Sequence, residues 1–417
     1  MKDFNFLLAQ IKNSIKIATG CTEPAAIALN SATARKHTPG IIKKVEIHLD
    51  MGLLKNAMFV GIPGVSGRGV ELCAALGMVG GDSDDAMNVL SRIQAHHEEE
   101  ARSLLPLITV FPQEGCRELF IETILTTDQG QSRVITYREH GNIALIEHPP
   151  FTEFSPEPSG EAGRLKEFGL EDLKVFADTV DIEKIAFLKE GIEVNRRIAE
   201  KGLEMGFGRS LNKLNHNALW GDSLIPHVQM LTGAASFARM SGVQLPVMIA
   251  TGSGNQGITL FLTIAAAAEK LNTPPEKLLR SLALALSVNL LSKAYLGTLA
   301  PICACGVASG LAASVGMVYI LDGNTAQMMG AVRSMIGGIT GMICDGAKEG
   351  CANKVAISAA YATLSAMTAV SDFSISGGDG ILAEDIHDVF RNMEYLTKNG
   401  MCDTNKAILH IMNGKQR

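Results

Sequence analysis

Apolar residues recur along this chain with two different periods, and the change of period divides the sequence into regions. In residues 4–18 they return every three or four positions, which predicts a helix. This helix is expected to end at the segment GCTEP, residues 20–24, and a second helix is expected over AAIALNSATARKH. Thr22 suits the cap and Pro24 the first turn of that second helix.

A period of two replaces the helical period from about residue 41 to residue 150. The predicted strands are KKVEIHLD, AMFVGIPG, LITVFPQ, ELFIETILTT, SRVITYRE and NIALIEHP. Two segments between them, GVELCAALGMVGG and DAMNVLSRIQAHHEEEARSLL, predict helices. This region is therefore expected to form an α/β domain.

Residues 151–168 are rich in Pro, Ser, Gly and Glu and predict a linker, after which helical periodicity dominates. The helices predicted there are residues 181–205, 224–240, 257–271, 276–291, 325–335, 354–370 and 381–398. We therefore predict an α+β fold with a mainly helical catalytic domain and a smaller α/β domain near the N-terminus. The expected divisions are N-terminal helices that carry Cys21 and pack on the catalytic domain (residues 1–40), the α/β domain (residues 41–165) and the helical catalytic domain (residues 166–417).

Composition and charge exclude several classes of protein. The 417 residues are 47% hydrophobic, which provides for a large core and two or three domains. The net charge is −6 without any concentration of basic residues, and one Trp and five Tyr leave little for base stacking, so no nucleic-acid partner is expected. The N-terminus lacks the apolar core and cleavage site of a signal peptide, which favours a cytoplasmic protein with reduced cysteines.

Residues 294–321 carry no charge and are long enough to span a bilayer. However, Pro301, two cysteines and many Gly, Ala and Ser residues in this stretch favour buried helices of the catalytic domain. We therefore expect no membrane partner, and the sequence leaves a homodimer open.

Four of the eight cysteines lie among small residues that let the backbone approach a bulky inorganic group. They are Cys303, Cys305, Cys344 and Cys351. Clustered cysteines in a cytoplasmic chain indicate a metal or catalysis before disulfides. Zinc sites more often use paired C-x₂-C spacings, and ferredoxin runs are absent as well. The gap of 41 positions (344 − 303) suits an iron–sulfur cluster with one iron left open, with zinc as the alternative.

Two residues are candidates for acid–base chemistry. Cys21 precedes a helix N-terminus, where the positive end of the helix dipole favours a thiolate; the alternative is a buried cysteine in a loop. His140 lies in a predicted loop between strands, where a lone histidine is a surface residue more often than a base.

The segment TGSGNQG, residues 251–257, opens a predicted helix and suits a carboxylate or phosphate, unless it is an ordinary glycine-rich turn. It follows SFAR, residues 236–239, at a distance similar to that in pyridoxal-phosphate β-lyases resembling threonine dehydratase. In those enzymes a lysine stands where this chain has Ala238, and alanine forms no imine. We therefore expect no pyridoxal phosphate but keep an amino acid carboxylate as the ligand of this loop.

Taken together, these motifs resemble the L-cysteine desulfidases, which are relatives of the iron–sulfur L-serine dehydratases, and the resemblance runs nearly end to end. The matching motifs are GCTEP (20–24), LKN (54–56), GSGNQG (252–257), Cys303, SMIG (334–337), GMICDGA (341–347) and CANKV (351–355). The family implies an oxygen-sensitive [4Fe-4S] cluster and the conversion of L-cysteine with water to sulfide, ammonia and pyruvate.

By position, the resemblance implies that Cys303, Cys344 and Cys351 hold the cluster and that Cys21 is a fourth ligand or a catalytic thiolate. Relatives place another residue two positions after Cys303, so Cys305 is a departure that could compete as a ligand. The remaining cysteines, Cys73, Cys116 and Cys402, are expected to be structural.

In the mechanism that follows, the substrate is held by its carboxylate and loses its α-proton to a base. The expected base is Cys21 first and His140 second. The residues expected to bind or orient substrate are Lys55, Asn56, Arg239, Ser253, Gly254, Asn255, Gln256 and Lys354, and Glu23 is expected to orient it. Three alternatives stay open: serine dehydration by the same apparatus, a non-catalytic iron–sulfur sensor, and small-molecule binding without a cluster.

Overall fold

Helices make up most of the computed structural model, which describes residues 2–62, 65–115, 118–156, 160–216 and 221–415. The α-helices of these residues are α1 (Phe4–Ser14), α2 (Thr22–His37), α3 (Met51–Ala57), α4 (Val70–Gly80), α5 (Ala95–Leu104), α6 (Gly160–Leu165), α7 (Leu170–Thr179), α8 (Ile182–Ile185), α9 (Leu188–Leu203), α10 (Gly206–His216), α11 (Leu224–Met240), α12 (Gly254–Lys270), α13 (Pro275–Leu296), α14 (Val307–Ile320), α15 (Thr325–Ile339), α16 (Cys351–Val370), α17 (Ile386–Tyr395) and α18 (Thr404–Gly414). Short 3₁₀ turns lie at Ser83–Asn88 and Leu105–Leu107, and a π-helical turn lies at Leu396–Gly400.

The strands of the described residues form two sheets. They are β1 (Ile15–Thr19), β2 (Ile42–Asp50), β3 (Ile108–Gln113), β4 (Phe120–Thr127), β5 (Gln131–Tyr137), β6 (Ile143–Glu147) and β7 (Pro246–Ala250). The larger sheet has the order β3-β2-β4-β5-β6, in which β2 is parallel to β3 and the other neighbours are antiparallel. The predicted α+β class, mainly helical with a smaller α/β part near the N-terminus, is confirmed.

Helices α2 and α4 cover one face of the larger sheet. Alternate residues of β2, namely Val45, Ile47 and Leu49, are fully buried against them because side chains of a strand alternate between its two faces. Ile27 of α2 belongs to the same core. The sequence predicted that both N-terminal helices pack on the helical domain; in the structure α1 contacts α13, whereas α2 packs on β4 and β5.

The N-terminal segment changes from helix to strand at Ile15, although the sequence predicted a helix as far as residue 18. Strand β1 pairs antiparallel with β7, with Ile15 opposite Ala250 and Thr19 opposite Pro246. The segment IKIAT fits either structure, and the ladder formed with β7, more than two hundred residues away, decides in favour of the strand. This ladder joins the chain that precedes Cys21 to the chain that leads into α12.

Strand β2 runs directly into α3, so the strand predicted over AMFVGIPG is wrong for its described part. Asp50 caps α3 by accepting from the Leu53 N–H, and residues 58–62 belong to no strand. Two further residues of that prediction, Pro63 and Gly64, lie outside the described residues. The sequence analysis also missed β7, α3, α7, α10 and α18, and it placed α6 inside the linker expected over residues 151–168.

The helical core is built around α12, α13 and α14, most of whose residues are buried. α16 packs against α11, α14 and α15 and brings its N-terminal residue, Cys351, to the edge of this core. The charge-free residues 294–321 contribute the end of α13 and the 14-residue α14. None of the helices in the described parts of the chain is both long and apolar enough to cross a membrane.

Candidate active site

A cavity of about 80 Å³ lies where the α/β part meets the helical core. It could hold several water molecules or a small ligand. The α/β side contributes α2, α3 and the loop between β5 and β6, and the helical side contributes α11, α12 and the segments around four cysteines. The lining residues used below are Glu23, Lys55, Asn56, His140, Arg239, Thr251, Ser253, Asn255, Gln256, Cys303, Cys305, Cys344 and Cys351.

Two of the predicted cluster ligands are held side by side by backbone hydrogen bonds. The Cys303 N–H donates to Met342 O at 2.7 Å and the Cys344 N–H donates to Pro301 O at 2.7 Å, so the two segments form a short antiparallel bridge. Cys351, at the start of α16, lines the same cavity. The structure thus brings together three thiols that are widely separated in sequence.

Three cysteine thiols that line one cavity are the type of donor set that holds an iron–sulfur cluster. In the part of the chain that the structure describes, no three His, Cys, Asp or Glu side chains are grouped to hold one metal ion. A cubane cluster binds each thiolate at a separate iron, so its ligands surround a volume and need not converge on one point. Gly346 and Ala347 leave room beside the thiols, as the small residues of the sequence suggested.

The surroundings of Cys351 and Cys303 favour their protonated thiols. Burial raises the pKa of Cys351 to about 11, and the neighbouring Cys303 and Cys344 raise it further. A hydrogen bond with Cys305, together with burial, raises the pKa of Cys303. Bound iron would supply the positive charge that the thiolates lack here, with release of the protons.

Cys21 lies behind this cavity and is not among the residues that line it. Its S–H donates to Met240 Sδ at 3.8 Å, and Cys351 packs against the same small cluster. Burial raises the pKa of Cys21 to about 11, and the nearby Arg239 opposes this rise only in part. Burial thus raises the pKa of Cys21 more than the helix dipole lowers it, so the thiolate expected from the helix dipole is not favoured.

Three residues predicted to bind substrate hold the Cys344 loop in this structure. Lys55, which is 1% exposed, donates from Nζ to Cys344 O at 2.6 Å and to Asn405 Oδ1 of α18 at 2.8 Å. Lys354 donates to Ile343 O at 2.8 Å and pairs with Asp345. The Cys344 S–H donates to Asn56 Oδ1 at 3.5 Å. We call Cys303, Cys344 and Cys351, together with Lys55 and Lys354, the cysteine wall.

Arg239 is a buried cation beside the first turn of α12. Its guanidinium donates to Gly20 O at 3.0 Å and to Asn255 Oδ1 at 3.3 Å, and its buried Nε has no hydrogen-bond partner among the described residues. Ser253 is the N-cap of α12, whose first N–H groups have no carbonyl of their own helix to bind. A Cβ on Gly254 would lie 2.3 Å from Arg239 Nε, so only glycine lets the arginine reach this position.

Gln256, predicted to bind substrate, is held in a buried polar network behind the loop. Its Oε1 accepts from Thr251 Oγ1 at 2.7 Å and from Ser309 Oγ at 3.2 Å. Asn289 Nδ2 also donates to Thr251 Oγ1, at 2.9 Å. Thr251 has φ +44°, a costly conformation for a β-branched residue, and these bonds hold it there.

His140 is placed in the cavity by the hairpin loop between β5 and β6. Asn142 closes this loop by donating from Nδ2 to Tyr137 O at 2.9 Å, and Thr298 Oγ1 anchors it to the helical side by donating to Arg138 O at 2.8 Å. His140 is buried, and its Nε2 has no partner among the described residues. Its burial lowers its pKa, Glu23 raises it, and Lys293 and Arg239 lower it further, so the neutral imidazole is favoured.

We call Glu23, His140, Arg239 and the first turn of α12 the polar wall. Sequence reasoning named all four but missed the residues that support them. Asn289 and Ser309 were missed because polar residues on apolar helices have no local signal of function. Lys293, whose pKa is lowered to about 8 by burial, is the only charged residue of α13 after Arg280, and this isolation was a usable signal. Among the cysteines predicted to be structural, Cys73 is buried, Cys402 is exposed and Cys116 lies outside the described residues.

The fold and the site define a mainly helical α+β protein with a cavity lined by thiols and polar side chains, and comparison with known proteins is consistent with this class. A family model described as "Serine dehydratase alpha chain" matches residues 84–410. The chain is 37% identical over 414 residues to a "UPF0597 protein" of Clostridium tetani (strain Massachusetts / E88), with 97% of each chain covered. It is 33% identical over 416 residues to a "UPF0597 protein" of Clostridium botulinum (strain Okra / Type B1), with 97% of this chain and 96% of the relative covered.

The protein therefore belongs to the serine dehydratase alpha chain family. This match confirms the resemblance to the iron–sulfur serine dehydratases that the motifs indicated. The names of the relatives say nothing about a preference for cysteine.

Proposed function

We propose that this protein is an iron–sulfur-dependent lyase that eliminates sulfide from L-cysteine, with ammonia and pyruvate as the other products. The observation that carries the proposal is the pairing of two unlike walls in one cavity. One wall offers thiols for a metal, and the other offers a buried guanidinium and a neutral imidazole, each with a nitrogen that has no partner among the described residues. Buried polar groups without partners are costly unless a ligand completes them.

Cys303, Cys344 and Cys351, which line the cavity, would hold a [4Fe-4S] cluster. Cys21 packs near Cys351, and it would become a fourth ligand only if its thiol turned from Met240 toward the cavity. The cluster would supply a Lewis-acidic iron for the departing sulfur. Cys305 lies between the two walls, with Sγ 3.4 Å from Ser253 Oγ and a hydrogen bond with Cys303, so it is placed both to contact substrate and to compete as a ligand. The described cysteines are all free thiols, which suits a location in the cytoplasm.

The substrate carboxylate would bind in the cavity beside Arg239 and the first turn of α12, which both line it. A helix N-terminus attracts anions through its free N–H groups and its dipole, and the guanidinium adds a full charge. Ser253 and Asn255 flank this position. Lys55 and Lys354 would position the Cys344 loop and not bind the carboxylate, because their ammonium groups already bind backbone carbonyls of that loop.

His140 is the base that this geometry supports best. Its ring lies close enough to both Glu23 and Arg239 for their charges to shift its pKa, and its Nε2 is free to accept a proton. The α-proton would pass to Nε2, the C–H electron pair would form the Cα–Cβ double bond, and the C–S electron pair would leave with sulfur. The aminoacrylate released would tautomerise and hydrolyse without further help. Cys21 is less suitable as a base because its thiol faces Met240 behind the cavity.

Serine dehydration is the second candidate, and the family match favours it. Two features favour cysteine. The wall beside the thiols includes Ala300, Ile302 and Val355, where a thiol loses less hydrogen bonding than a hydroxyl. Iron–sulfur chemistry is also soft and prefers a thiolate leaving group.

The test is anaerobic reconstitution with iron and sulfide, followed by assays of L-cysteine and L-serine. We expect about four irons per chain and release of sulfide and pyruvate in equal amounts from L-cysteine, with a lower kcat/KM for pyruvate from L-serine. A higher kcat/KM for L-serine would reverse the assignment. A full cluster without turnover of either amino acid would leave a non-catalytic iron–sulfur sensor.

A further inference from the structure

Glu23 presents a carboxylate to the cavity, and no cation of the described residues lies within ion-pair distance of it. Its Oε1 accepts from Asn56 Nδ2 at 3.0 Å and its Oε2 accepts from Thr22 Oγ1 at 3.2 Å. Both partners are neutral. The side chain is half-buried at the N-terminus of α2.

Arg239 is a cation that likewise has no oppositely charged partner among the described residues. Among the described residues its guanidinium donates to the Gly20 carbonyl, the Asn255 amide oxygen and the Met240 sulfur, and to no carboxylate. Glu23 and Arg239 both line the cavity, yet they form no ion pair with each other. Removing a charge from water without an opposite charge is costly, so a ligand with both charges would relieve both residues together.

We propose that Glu23 is the receptor for the α-ammonium group of the substrate, so that the cavity recognises a zwitterionic α-amino acid at both ends. This inference rests on the proposed function and names the second half of its recognition site. The carboxylate of the ligand lies at Arg239 and the first turn of α12, and its ammonium group lies at Glu23.

The surroundings of Glu23 suit this role. Asn56 and Thr22 each donate one hydrogen bond to a different oxygen, which fixes the plane of the carboxylate and leaves lone pairs for an ammonium group. His140 lies close enough to both Glu23 and Arg239 for their charges to shift its pKa. A ligand that spans these two charges therefore presents its Cα near the imidazole. Two charged contacts and a sulfur contact fix three substituents of Cα, so the site distinguishes the two enantiomers.

Asn56 also links this receptor to the cysteine wall. Its Oδ1 accepts from the Cys344 S–H while its Nδ2 donates to Glu23, so one amide is bonded to both. The side-chain amide therefore has a fixed orientation, with its oxygen toward the sulfur and its nitrogen toward the carboxylate.

The experiment compares two competitive ligands that each lack one charge of L-cysteine. Cysteamine keeps the thiol and the ammonium group, and 3-mercaptopropionate keeps the thiol and the carboxylate. Their Kd values are measured by anaerobic calorimetry on the cluster-loaded wild type, Glu23→Gln and Arg239→Lys. Glutamine keeps an oxygen to accept from Asn56 or Thr22, so the change removes the charge with little loss of packing.

For Glu23→Gln we expect cysteamine to bind about tenfold more weakly, as for a loss of about 1.4 kcal/mol. 3-Mercaptopropionate should bind unchanged or more tightly, because a like charge has been removed. Arg239→Lys, which loses the geometry of the guanidinium but not its charge, should weaken 3-mercaptopropionate more than cysteamine. A crossed pattern of this kind does not arise from a general disturbance of the site.

Two results would overturn the inference while leaving the proposed function in place. Equal weakening of both ligands by Glu23→Gln would make Glu23 a structural residue, and unchanged binding of cysteamine would place the ammonium group elsewhere. If the wild type bound neither ligand and released no sulfide from L-cysteine, the proposed function itself would fail, and this inference with it. The Glu23→Gln arm decides the question even where Arg239→Lys does not fold.

Discussion

The cysteine wall and the polar wall differ in how many of their polar groups have hydrogen-bond or ion-pair partners within the protein. In the cysteine wall, Lys55 and Lys354 are bonded to the backbone of the Cys344 loop, and Asp345 is paired with Lys354 and Lys348. In the polar wall, His140 Nε2 and Arg239 Nε are buried without partners among the described residues. Among the described residues that line the cavity, only these two have a buried side-chain nitrogen or oxygen without a hydrogen-bond partner.

The difference indicates two kinds of preorganisation. The thiols are set by contacts that are complete before any metal binds, which suits a cofactor that remains in place. The polar wall is completed only by a ligand, which suits a substrate that enters and leaves. Functional sites commonly retain such costs because the ligand repays them. The predictions below test whether each wall behaves in this way.

The largest effect is expected from loss of a predicted cluster ligand. Cys344→Ser should lower the iron content of the reconstituted protein and reduce sulfide release below detection, because serine is a poor ligand for iron in a cluster. Iron analysis and the absorbance of the cluster check this. Cys402→Ser, at an exposed cysteine, is the matched control and should behave as wild type. Full iron and full turnover in Cys344→Ser would remove this residue from the cysteine wall.

Loss of the proposed base should reduce turnover without affecting the cluster. His140→Asn is expected to lower kcat by about 10²- to 10⁴-fold, with unchanged iron content. In the wild type, kcat should rise with pH through the pKa of His140, which burial lowers from its ordinary 6.5. The reason is that only the neutral imidazole accepts the α-proton. This acidic limb should be absent from the residual activity of the variant, and its persistence there would assign the base elsewhere.

Much of this comparison could be predicted from the sequence, but not the division of roles. Cys303, Cys344 and Cys351 are surrounded by small residues, and the glycine loop opens α12, so the composition of both walls was visible. Lys55 was expected to bind substrate because it belongs to the LKN motif, residues 54–56, of the resemblance. Its partner Asn405 lies 350 positions away on a helix that no local pattern predicted, so the direction of the ammonium group was not visible.

Likewise, Gln256 belongs to the loop that the sequence assigned to substrate. Its side chain turns inward because Thr251, Asn289 and Ser309 meet it from three different elements. Strand β1 shows the same limit, since its pairing with β7 overrides a helical period. Local pattern thus located the chemistry, whereas long-range contacts decided which polar groups remained available to a ligand.

Removing the Lys55 ammonium group, which supports the cysteine wall, should lower the stability of the protein and its retention of the cluster more than it lowers turnover. Lys55→Met leaves Cys344 O and Asn405 Oδ1 without their donor, which costs about 1–3 kcal/mol for a buried acceptor. We expect a lower Tm and faster loss of iron in air, with near-normal turnover per bound cluster. Lys354→Met, at a more exposed lysine of the same loop, should show smaller changes. If Lys55→Met instead raised KM with iron retention unchanged, Lys55 would be a substrate ligand, as the sequence first indicated.

The smallest effect is expected from the network that holds Thr251. Ser309→Ala removes the hydroxyl that donates to Gln256 Oε1 and Asn289 Oδ1, at a cost of about 1 kcal/mol. Because the network constrains the loop before α12, we expect a rise in KM of about fivefold with little change in kcat. Ser314→Ala is the matched control: Ser314 is also fully buried on α14, but it donates to Leu311 O of its own helix. Both variants should lose similar stability, and only Ser309→Ala should change KM; an equal change in both would mean that the loop holds its strained conformation without this network.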